Sequence, residues 1–415
     1  MVKKRVDVLV LNSNETITLD SPENENGLGI VDHGGVAIKQ GKIVLAASTD
    51  LLERKYRAGR TIDVENEIIL PGFVDPHTHL IFAGAREAEF QPRIEGVSYM
   101  EILRKGGGII ETVNRTRQAS PESLFQFGQQ RLDTCLESGS TTVEIKSGYG
   151  LREDDELKIL RTVQRLREYH PCNIVPTFMG AHAVPPGETS SEFVLSIVNE
   201  MLPRVAQAGL AEFCDVFCEQ GVFDSVESKM ILRKAAKLGL KLKIHADQFT
   251  DCGGAEIANK LHVTSADHLV HSPKNQLEQM AKTGVTPVLL PSSSHSLMTG
   301  ENADARGMIA MGLPVALGTD FSPSNWMLGQ LTVAALASRE LRMNASEIIR
   351  GITINAARAL GSEKRIGSLH RGKQADLVTL RAPNHRWIGY TYGERIVDNV
   401  LIGGEWVVRD GKRIP

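Results

Sequence analysis

The sequence predicts an α/β protein: a (β/α)8 TIM-type barrel joined to a small β-sandwich domain that is built from both ends of the chain. In the middle of the 415 residues, strand-like and helix-like segments alternate about seven or eight times, as a barrel of parallel strands requires. Both ends are instead rich in short strands and turns. We therefore expect the sandwich at residues 1–68 and 363–415 and the barrel at residues 69–362.

The strands of the terminal domain are predicted from apolar runs that turn residues interrupt. Near the start these runs are VDVLVLN and GGVAIKQGKIVLAAS, in which KQGK has the character of a hairpin turn. Near the end they are ADLVTLR and VDNVLIGGEWVVRDGKRI, which Gly-Gly and Asp-Gly pairs punctuate. The two ends share this pattern, and the middle of the chain does not.

The barrel is predicted from a regular succession of strands and helices. After EIILPGFVD, the strand-like runs are TTVEIKSG, NIVPTFMGAH, FCDVFCE, LKLKIHAD, TSADHLV, GVTPVLLP and LPVALGTD. Helix-like segments such as PESLFQFGQQRLDTCLES and DDELKILRTVQRLREYH lie between them. The alternative, a doubly wound open sheet, would need a glycine-rich phosphate turn after an early strand, and GGGII at residues 106–110 follows no strand.

Composition excludes several classes of protein. With 41% apolar and 23% charged residues the chain is not mainly disordered, and a net charge of −3 offers no basic field for nucleic acid. We expect no signal peptide and no membrane span, because no segment approaches 18 uncharged apolar residues. Five scattered cysteines predict reduced thiols in a cytoplasmic protein, with Cys214 and Cys218 as core residues.

Polar residues collect where the predicted barrel strands end. Catalytic groups of such barrels lie at the carboxyl ends of strands, whereas core histidines have no reason to gather at one edge. The residues found at these ends are His77, His79, Glu144–Lys146, His182, Glu219, His245, His268 and Asp320.

A metal site is predicted from four of these residues. His77 and His79 are two positions apart, so on a strand their side chains point to the same face, although such a pair also occurs at exposed strand ends. His245 and Asp320 lie in segments too apolar to hold a lone polar group cheaply. Three histidines and one carboxylate suit a divalent ion with one position left for water, whose pKa the ion would lower. His268, unless it is a satisfied core histidine, is then free to transfer a proton.

The motifs PGFVDPHTHL, KIHAD, SADHL and ALGTD, with the β-rich ends, resemble the amidohydrolase superfamily. Within it, PHTHLIFAGAREAEF, GGGIIETVNRTR, TTVEIKSGYGL, GAHAVPPG and KIHADQF resemble the imidazolonepropionase family over residues 1–410. The resemblance implies one metal per chain, zinc or iron, held by His77, His79, His245 and Asp320. It also implies that a metal-bound hydroxide opens the ring of 4-imidazolone-5-propanoate to give N-formimidoyl-L-glutamate.

A small substrate with a carboxylate needs a cation, and Arg86 in FAGAREAEF is our candidate, the alternative being a surface arginine. The resemblance assigns Tyr149 and His182 to substrate binding as well. Lys146 could be a carbamylated ligand to a second metal, but we expect it to pair with a nearby acid instead.

Two positions depart from the family pattern. Gln248 stands where many members carry glutamate; it remains a catalytic-site and substrate contact, but an amide cannot be a general base, so proton transfer falls to His268 and Asp320. The family usually continues TD-x-N-P-G-S/T after the metal aspartate, whereas this chain has TDFSPSNWM, which puts Ser322, Ser324 and Asn325 at the substrate contacts.

Two other functions stay open on the sequence. Another single-metal amidohydrolase, such as a deaminase of a cyclic amidine or a purine, would keep the ligands without needing Arg86 to meet a carboxylate. A non-catalytic amidohydrolase-like scaffold would have lost metal ligands. For partners we expect a small-molecule substrate, neither nucleic acid nor membrane, and a homodimer by base rate.

Overall fold

The computed structural model describes residues 3–20, 27–65, 67–97, 101–102 and 107–414. The outermost residues of the predicted terminal domain (1–2 and 415) and the first glycine of GGGII therefore lie outside the described residues. The strands are β1 (Lys4–Leu11), β2 (Glu15–Ile17), β3 (Ile30–Asp32), β4 (Gly34–Lys39), β5 (Lys42–Ser48), β6 (Tyr56–Asp63), β7 (Ile68–Pro71), β8 (Phe73–Asp75), β9 (Ser140–Lys146), β10 (Asn173–Ala181), β11 (Phe213–Cys218), β12 (Lys241–Ala246), β13 (Ser265–His268), β14 (Thr286–Leu289), β15 (Ala316–Leu317), β16 (Leu377–Leu380), β17 (Val397–Ile402), β18 (Glu405–Arg409) and β19 (Lys412–Arg413).

Helices connect most of these strands. The α-helices are Thr49–Lys55, Phe90–Ile94, Ile109–Gln118, Pro121–Glu137, Glu153–Tyr169, Ser190–Ser196, Leu202–Gln207, Ser225–Lys237, Gly254–Leu261, Lys274–Thr283, Pro291–Leu297, Ala305–Ala310, Gln330–Glu340, Ala345–Gly351 and Ile354–Ala359. A π-helical turn, Ile197–Met201, joins two of them, and short 3-10 turns span Glu87–Glu89 and His385–Trp387. Among the described residues, none of the helices combines the length and the apolar character that crossing a membrane requires.

Strands β8 to β15 form the predicted barrel. They pair in chain order, each parallel to the next. The first and last strands meet just beyond their ends, where Thr78 bridges Phe321 and the His79 amide donates to the Phe321 carbonyl at 2.8 Å. The predicted barrel with a small sheet domain is confirmed.

The remaining strands build the terminal domain from both ends of the chain. One sheet has the order β5-β4-β1-β6, the other β19-β18-β17-β16-β7-β2-β3, and apolar side chains of the two sheets share a core. Strand β7 pairs with β16 in this domain, and Gly72 links it to β8, the first strand of the eight-stranded sheet. A Cβ at Gly72 would lie 2.3 Å from Thr141 Oγ1, so this close crossing requires glycine.

Local sequence signals account for several of these elements. Helix Pro121–Glu137 begins after Ser120, whose side chain accepts from the Ser123 amide, and its proline occupies the first turn, where no amide donor is needed. The KQGK segment makes the predicted hairpin, since Gln40 and Gly41 both have positive φ between the paired β4 and β5. Cys214 and Cys218 are buried, and all five cysteines are free thiols.

Candidate active site

The structure brings the predicted site residues together at the carboxyl ends of the barrel strands. His77 and His79 follow β8 and flank Thr78, whose hydroxyl donates to the Glu144 carbonyl, so the two imidazoles face the barrel axis together. His245 lies near the end of β12 and His268 ends β13.

Three histidines form a cluster that could hold a metal ion. One ring nitrogen each from His77, His79 and His245 lies within 4.8 Å of the others, and all three side chains are buried. The Nε2 atoms of His79 and His245 are 3.4 Å apart. Ligands at 2.0–2.2 Å from a tetrahedral ion lie about 3.4 Å from one another, so this spacing suits an ion between the rings. His77 Nε2 has no hydrogen-bond partner among the described residues, although it is buried.

Asp320 approaches the same point. Its Oδ1 lies 3.4 Å from His77 Nε2 and 3.6 Å from His79 Nε2, which is again the spacing of ligands around one ion. Asp320 and His268 both have left-handed backbones, with φ of 49° and 74°. Residues other than glycine rarely adopt this conformation, and strain of this kind concentrates at functional sites.

Buried carboxylates lie beside the other nitrogens of two ligands. His77 Nδ1 is hydrogen-bonded to Asp267 Oδ2 at 2.7 Å, whereas His245 Nδ1 lies 3.0 Å from Asp215 Oδ2 without the alignment of a hydrogen bond. A carboxylate at Nδ1 fixes the tautomer and leaves Nε2 free to bind a metal. Burial holds the pKa of His77 and His79 well below the usual range, so both rings are neutral at pH 7, as metal ligands must be.

His182 and Tyr149 form the wall beside His79. His182 stacks on His79 with ring centroids 4.6 Å apart, and Tyr149 lies 5.2 Å from His182. The His182 Nδ1–H donates to the Gly148 carbonyl at 3.2 Å, which leaves Nε2 as an acceptor. Burial and the nearby His245 lower the pKa of His182 to about 3, so the ring stays neutral. Gly148 has φ of 116°, and a Cβ there would meet His182 Nδ1 at 2.8 Å.

The cavity over this cluster is partly open to solvent. Its lining includes most of the predicted residues, namely His79, Arg86, Tyr149, His182, His245, Gln248, His268, Asp320, Ser322 and Ser324. Phe217, Ser293 and Leu297, which sequence reasoning missed, also line it, and no pattern in the sequence marks them.

Arg86 is the cation of this cavity. The residue is 7% exposed, and its Nε and Nη1 atoms are buried without a hydrogen-bond partner among the described residues. The neighbouring Arg93, also 7% exposed, is by contrast paired with Glu89 at 2.9 Å and donates to the Ser324 carbonyl. Arg86 therefore presents two donor nitrogens, Nε and Nη1, that no described residue uses.

The loop after β15 places two of its three predicted residues in the lining of the cavity. Ser322 and Ser324 line the cavity, with their hydroxyl oxygens 3.2 Å apart. The Asn325 side chain is instead committed to the fold, since its amide donates to the carbonyls of Thr319 and Asp320. Its oxygen accepts from a serine of helix Pro291–Leu297 at 2.8 Å, so Asn325 shapes the loop rather than the cavity surface.

Beneath the histidines lies a layer of charged side chains, of which the sequence analysis singled out Glu144 and Lys146 but not Asp215, Lys243 or Asp267. Lys146 pairs with Asp215 at 2.7 Å and Glu144 at 2.9 Å, which is the acid pairing expected for Lys146. Burial opposes the charge of Lys146, but these carboxylates outweigh it and raise the pKa of the lysine. A protonated, ion-paired lysine is a poor candidate for carbamylation. Asp215 could have been suspected because it interrupts the apolar strand FCDVFC.

Glu219 holds the neighbouring loop through hydrogen bonds. Its carboxylate accepts from the Phe249 amide at 2.8 Å and from the Thr250 hydroxyl. These contacts hold the segment that carries Gln248 against the cavity.

Comparison with known proteins extends this description. A model of the amidohydrolase family matches residues 68–407. An imidazolonepropionase of Shouchella clausii (strain KSM-K16) is 47% identical over 397 residues, which cover 94% of this chain and 88% of the relative. An imidazolonepropionase of Alkaliphilus metalliredigens (strain QYMF) is 42% identical over 424 residues, which cover 99% of this chain and 100% of the relative.

Solved structures with the same fold are more distant. An adenosine deaminase from Xanthomonas campestris with bound zinc is 18% identical, with a TM-score of 0.77 over 100% of this chain and 95% of its own. An atrazine chlorohydrolase from Arthrobacter aurescens TC1 complexed with zinc is 20% identical, with a TM-score of 0.73 over 98% of this chain and 96% of its own. At these identities the likeness concerns the fold alone.

Proposed function

This chain belongs to the imidazolonepropionase family of the amidohydrolases, and we propose that its catalytic site is the cavity around His77, His79 and His245. It is a metal-dependent hydrolase that acts on a cyclic amide bond. The reaction is the hydrolysis of 4-imidazolone-5-propanoate to N-formimidoyl-L-glutamate, a step of histidine degradation.

The observation that carries the substrate assignment is the guanidinium of Arg86, whose buried Nε and Nη1 have no hydrogen-bond partner among the described residues. A buried cation without a partner is costly in a folded protein, so an arginine kept in that state is best explained by a ligand that completes it. The propionate of the substrate is such a ligand, because a planar guanidinium matches a carboxylate with two parallel hydrogen bonds. Neither a purine base nor adenosine carries the negative charge of a carboxylate.

We further propose that one divalent metal per chain, zinc or iron, binds His77, His79 and His245, with Asp320 as the fourth ligand. When bound, such an ion supplies Lewis acidity and lowers the pKa of water towards neutrality. The buried Nε2 of His77, the spacing of the ring nitrogens and the approach of Asp320 Oδ1 support this set.

The remaining residues orient the ring and move protons. His182 Nε2 accepts from a ring N–H, and Tyr149 and Gln248, which line the same cavity, contact the substrate. Hydrolysis adds water to the ring carbonyl carbon, breaks the bond from that carbon to nitrogen, and requires a proton on the departing nitrogen. His268, which lines the cavity, is the group that takes the proton from water and delivers it to that nitrogen.

The alternatives are less well supported. Another single-metal amidohydrolase would leave the charge of Arg86 unexplained, and a non-catalytic scaffold would leave the three-histidine cluster unexplained. We also propose a cytoplasmic location, which the five free thiols favour, and a homodimer on general grounds.

A substrate panel tests the proposal. The wild-type protein, loaded with zinc or with iron, is offered 4-imidazolone-5-propanoate, a cyclic amidine and adenosine, with metal-stripped protein as the control. We expect ring opening of the first substrate, followed by ultraviolet absorbance, and loss of that activity on stripping. Faster release of ammonia from the amidine or from adenosine would establish a deaminase instead.

A further inference from the structure

A layer of five charged side chains fills the barrel directly beneath the histidine cluster, and the reaction described above uses none of them. They are Glu144, Lys146, Asp215, Lys243 and Asp267, and each side chain is 0% exposed. Counted as ionised, the three carboxylates exceed the two ammonium groups by one negative charge. Burying charges is costly unless each is paired, so a core of this kind calls for an explanation beyond stability.

The two lysines make different contacts. Lys146 Nζ lies 2.7 Å from Asp215, 2.9 Å from Glu144 and 3.6 Å from Asp267. Lys243 Nζ donates to Glu144 at 2.8 Å and to the Pro76 carbonyl at 2.7 Å, with Asp267 at 3.8 Å. Of the two lysines, only Lys146 contacts Asp215 in the described part of the chain.

Asp215 connects Lys146 to a proposed metal ligand. Its Oδ2 contacts both Lys146 Nζ and, at 3.0 Å, His245 Nδ1. Its Oδ1 accepts from the backbone amides of Val216 at 2.7 Å and His245 at 3.1 Å. Both oxygens are therefore held, and the carboxylate is fixed in close contact with Nδ1 of His245, the ring whose Nε2 faces His79 Nε2.

We propose that Lys146 is a positioning residue that sets the metal affinity of the site by holding Asp215, and through it His245. The inference rests on the proposed metal-dependent function. Lys146 lies within 3.6 Å of three carboxylates of the layer, and one of these, Asp215, also contacts His245 of the cluster above.

Zinc affinity, measured by competition with a coloured chelator, tests the inference without any assay of turnover. Lys146→Met keeps the length of the side chain but removes the ammonium, and we expect it to weaken zinc binding by roughly 10- to 100-fold. Asp215→Asn should weaken binding by a similar factor. If Lys146 acts through Asp215, the double variant K146M/D215N should bind within about threefold of D215N alone, because coupled changes are not additive.

Lys243→Met is the matched control, since it removes the other fully buried ammonium of the same layer. Its effect should add to that of Asp215→Asn, because Lys243 does not contact Asp215. The absorption bands of the cobalt(II)-loaded proteins provide a second measurement: K146M and D215N should show the same altered spectrum, and K243M a different one.

The outcomes are distinct. Wild-type protein that binds no zinc, iron or cobalt would overturn the proposed function and this inference with it. Zinc binding by K146M at wild-type strength, or additive losses in K146M/D215N, would overturn the inference alone. If K146M does not fold, the zinc affinities of K146M/D215N and D215N still decide whether Lys146 acts through Asp215. The double variant can be used for this because it loses one positive and one negative charge together.

Discussion

Replacing Arg86 tests the recognition of the substrate carboxylate most directly. In the free protein the guanidinium is 7% exposed and two of its nitrogens lack partners among the described residues. A hydrogen bond to a charged group is worth about 1.5–3 kcal/mol, and 1.4 kcal/mol corresponds to a factor of ten. Arg86→Ala should therefore reduce kcat/KM for 4-imidazolone-5-propanoate by roughly one to two decades.

The control substrate is the propanamide of the same ring, which has nearly the same shape but no charge. Its slow hydrolysis should barely change in Arg86→Ala, because that substrate has no charge-assisted contact to lose. Arg86→Lys should recover only part of the loss on the propanoate, since an ammonium cannot reproduce the two-pronged geometry. Arg93→Ala is the matched variant: it removes an equally buried arginine that is already paired with Glu89, and it should slow both substrates alike.

Thermal unfolding adds a second measurement for Arg86. A cation whose donors are unsatisfied in the free protein contributes no pairing energy to the fold, so Arg86→Met should unfold at the wild-type temperature or slightly above it. Equal slowing of both substrates by Arg86→Ala, or a clear loss of thermal stability in Arg86→Met, would refute the argument and make Arg86 a structural residue.

Three further changes have defined outcomes. His245→Ala should lose most of the metal that the wild-type protein retains at close to one ion per chain, as elemental analysis would show; near-stoichiometric metal in the variant would remove His245 from the site. His268→Ala should lower turnover by roughly 10²–10⁴-fold while the metal stays bound, and turnover within a few-fold of wild type would exclude the proton-transfer role. Burial raises the pKa of the Asp376 carboxyl from 3.8 to about 6, so the folded state binds the carboxyl proton more tightly than the unfolded chain does. The protein therefore loses stability as the pH rises through the range between these two pKa values. Asp376→Asn should remove this part of the pH dependence of stability. The measurement is the unfolding temperature of both proteins at pH 4.5 and 7. If the variant changes with pH as much as the wild type does, the assignment to Asp376 is wrong.

The sequence predicted the rim of the barrel better than its interior. Parallel strands in chain order bring their carboxyl ends to one edge, so His77, His79 and His245 could be placed together once the strands were recognised. The contacts of Asp215 and Asp267 depend on which strands are neighbours and in what register, and a single sequence does not reveal that. The role of Asn325 was missed for a related reason, because a loop's internal hydrogen bonds depend on its backbone conformation.

The two kinds of buried cation in this barrel have different functions, and their hydrogen bonds distinguish them. Lys146 meets two carboxylates within 3 Å, so the folded protein satisfies it and no ligand is needed to complete it. Arg86 has donors that are equally withdrawn from water but have no acceptor among the described residues, and we propose that the substrate carboxylate pairs with them. The desolvation cost of Arg86 is thus incurred during folding, before the substrate arrives, and the carboxylate meets a cation that is already stripped of water and held in place. Judged by burial alone, Lys146 and Arg86 would be the same kind of residue. The count of satisfied donors separates the residue proposed to position the metal site from the residue proposed to select the substrate.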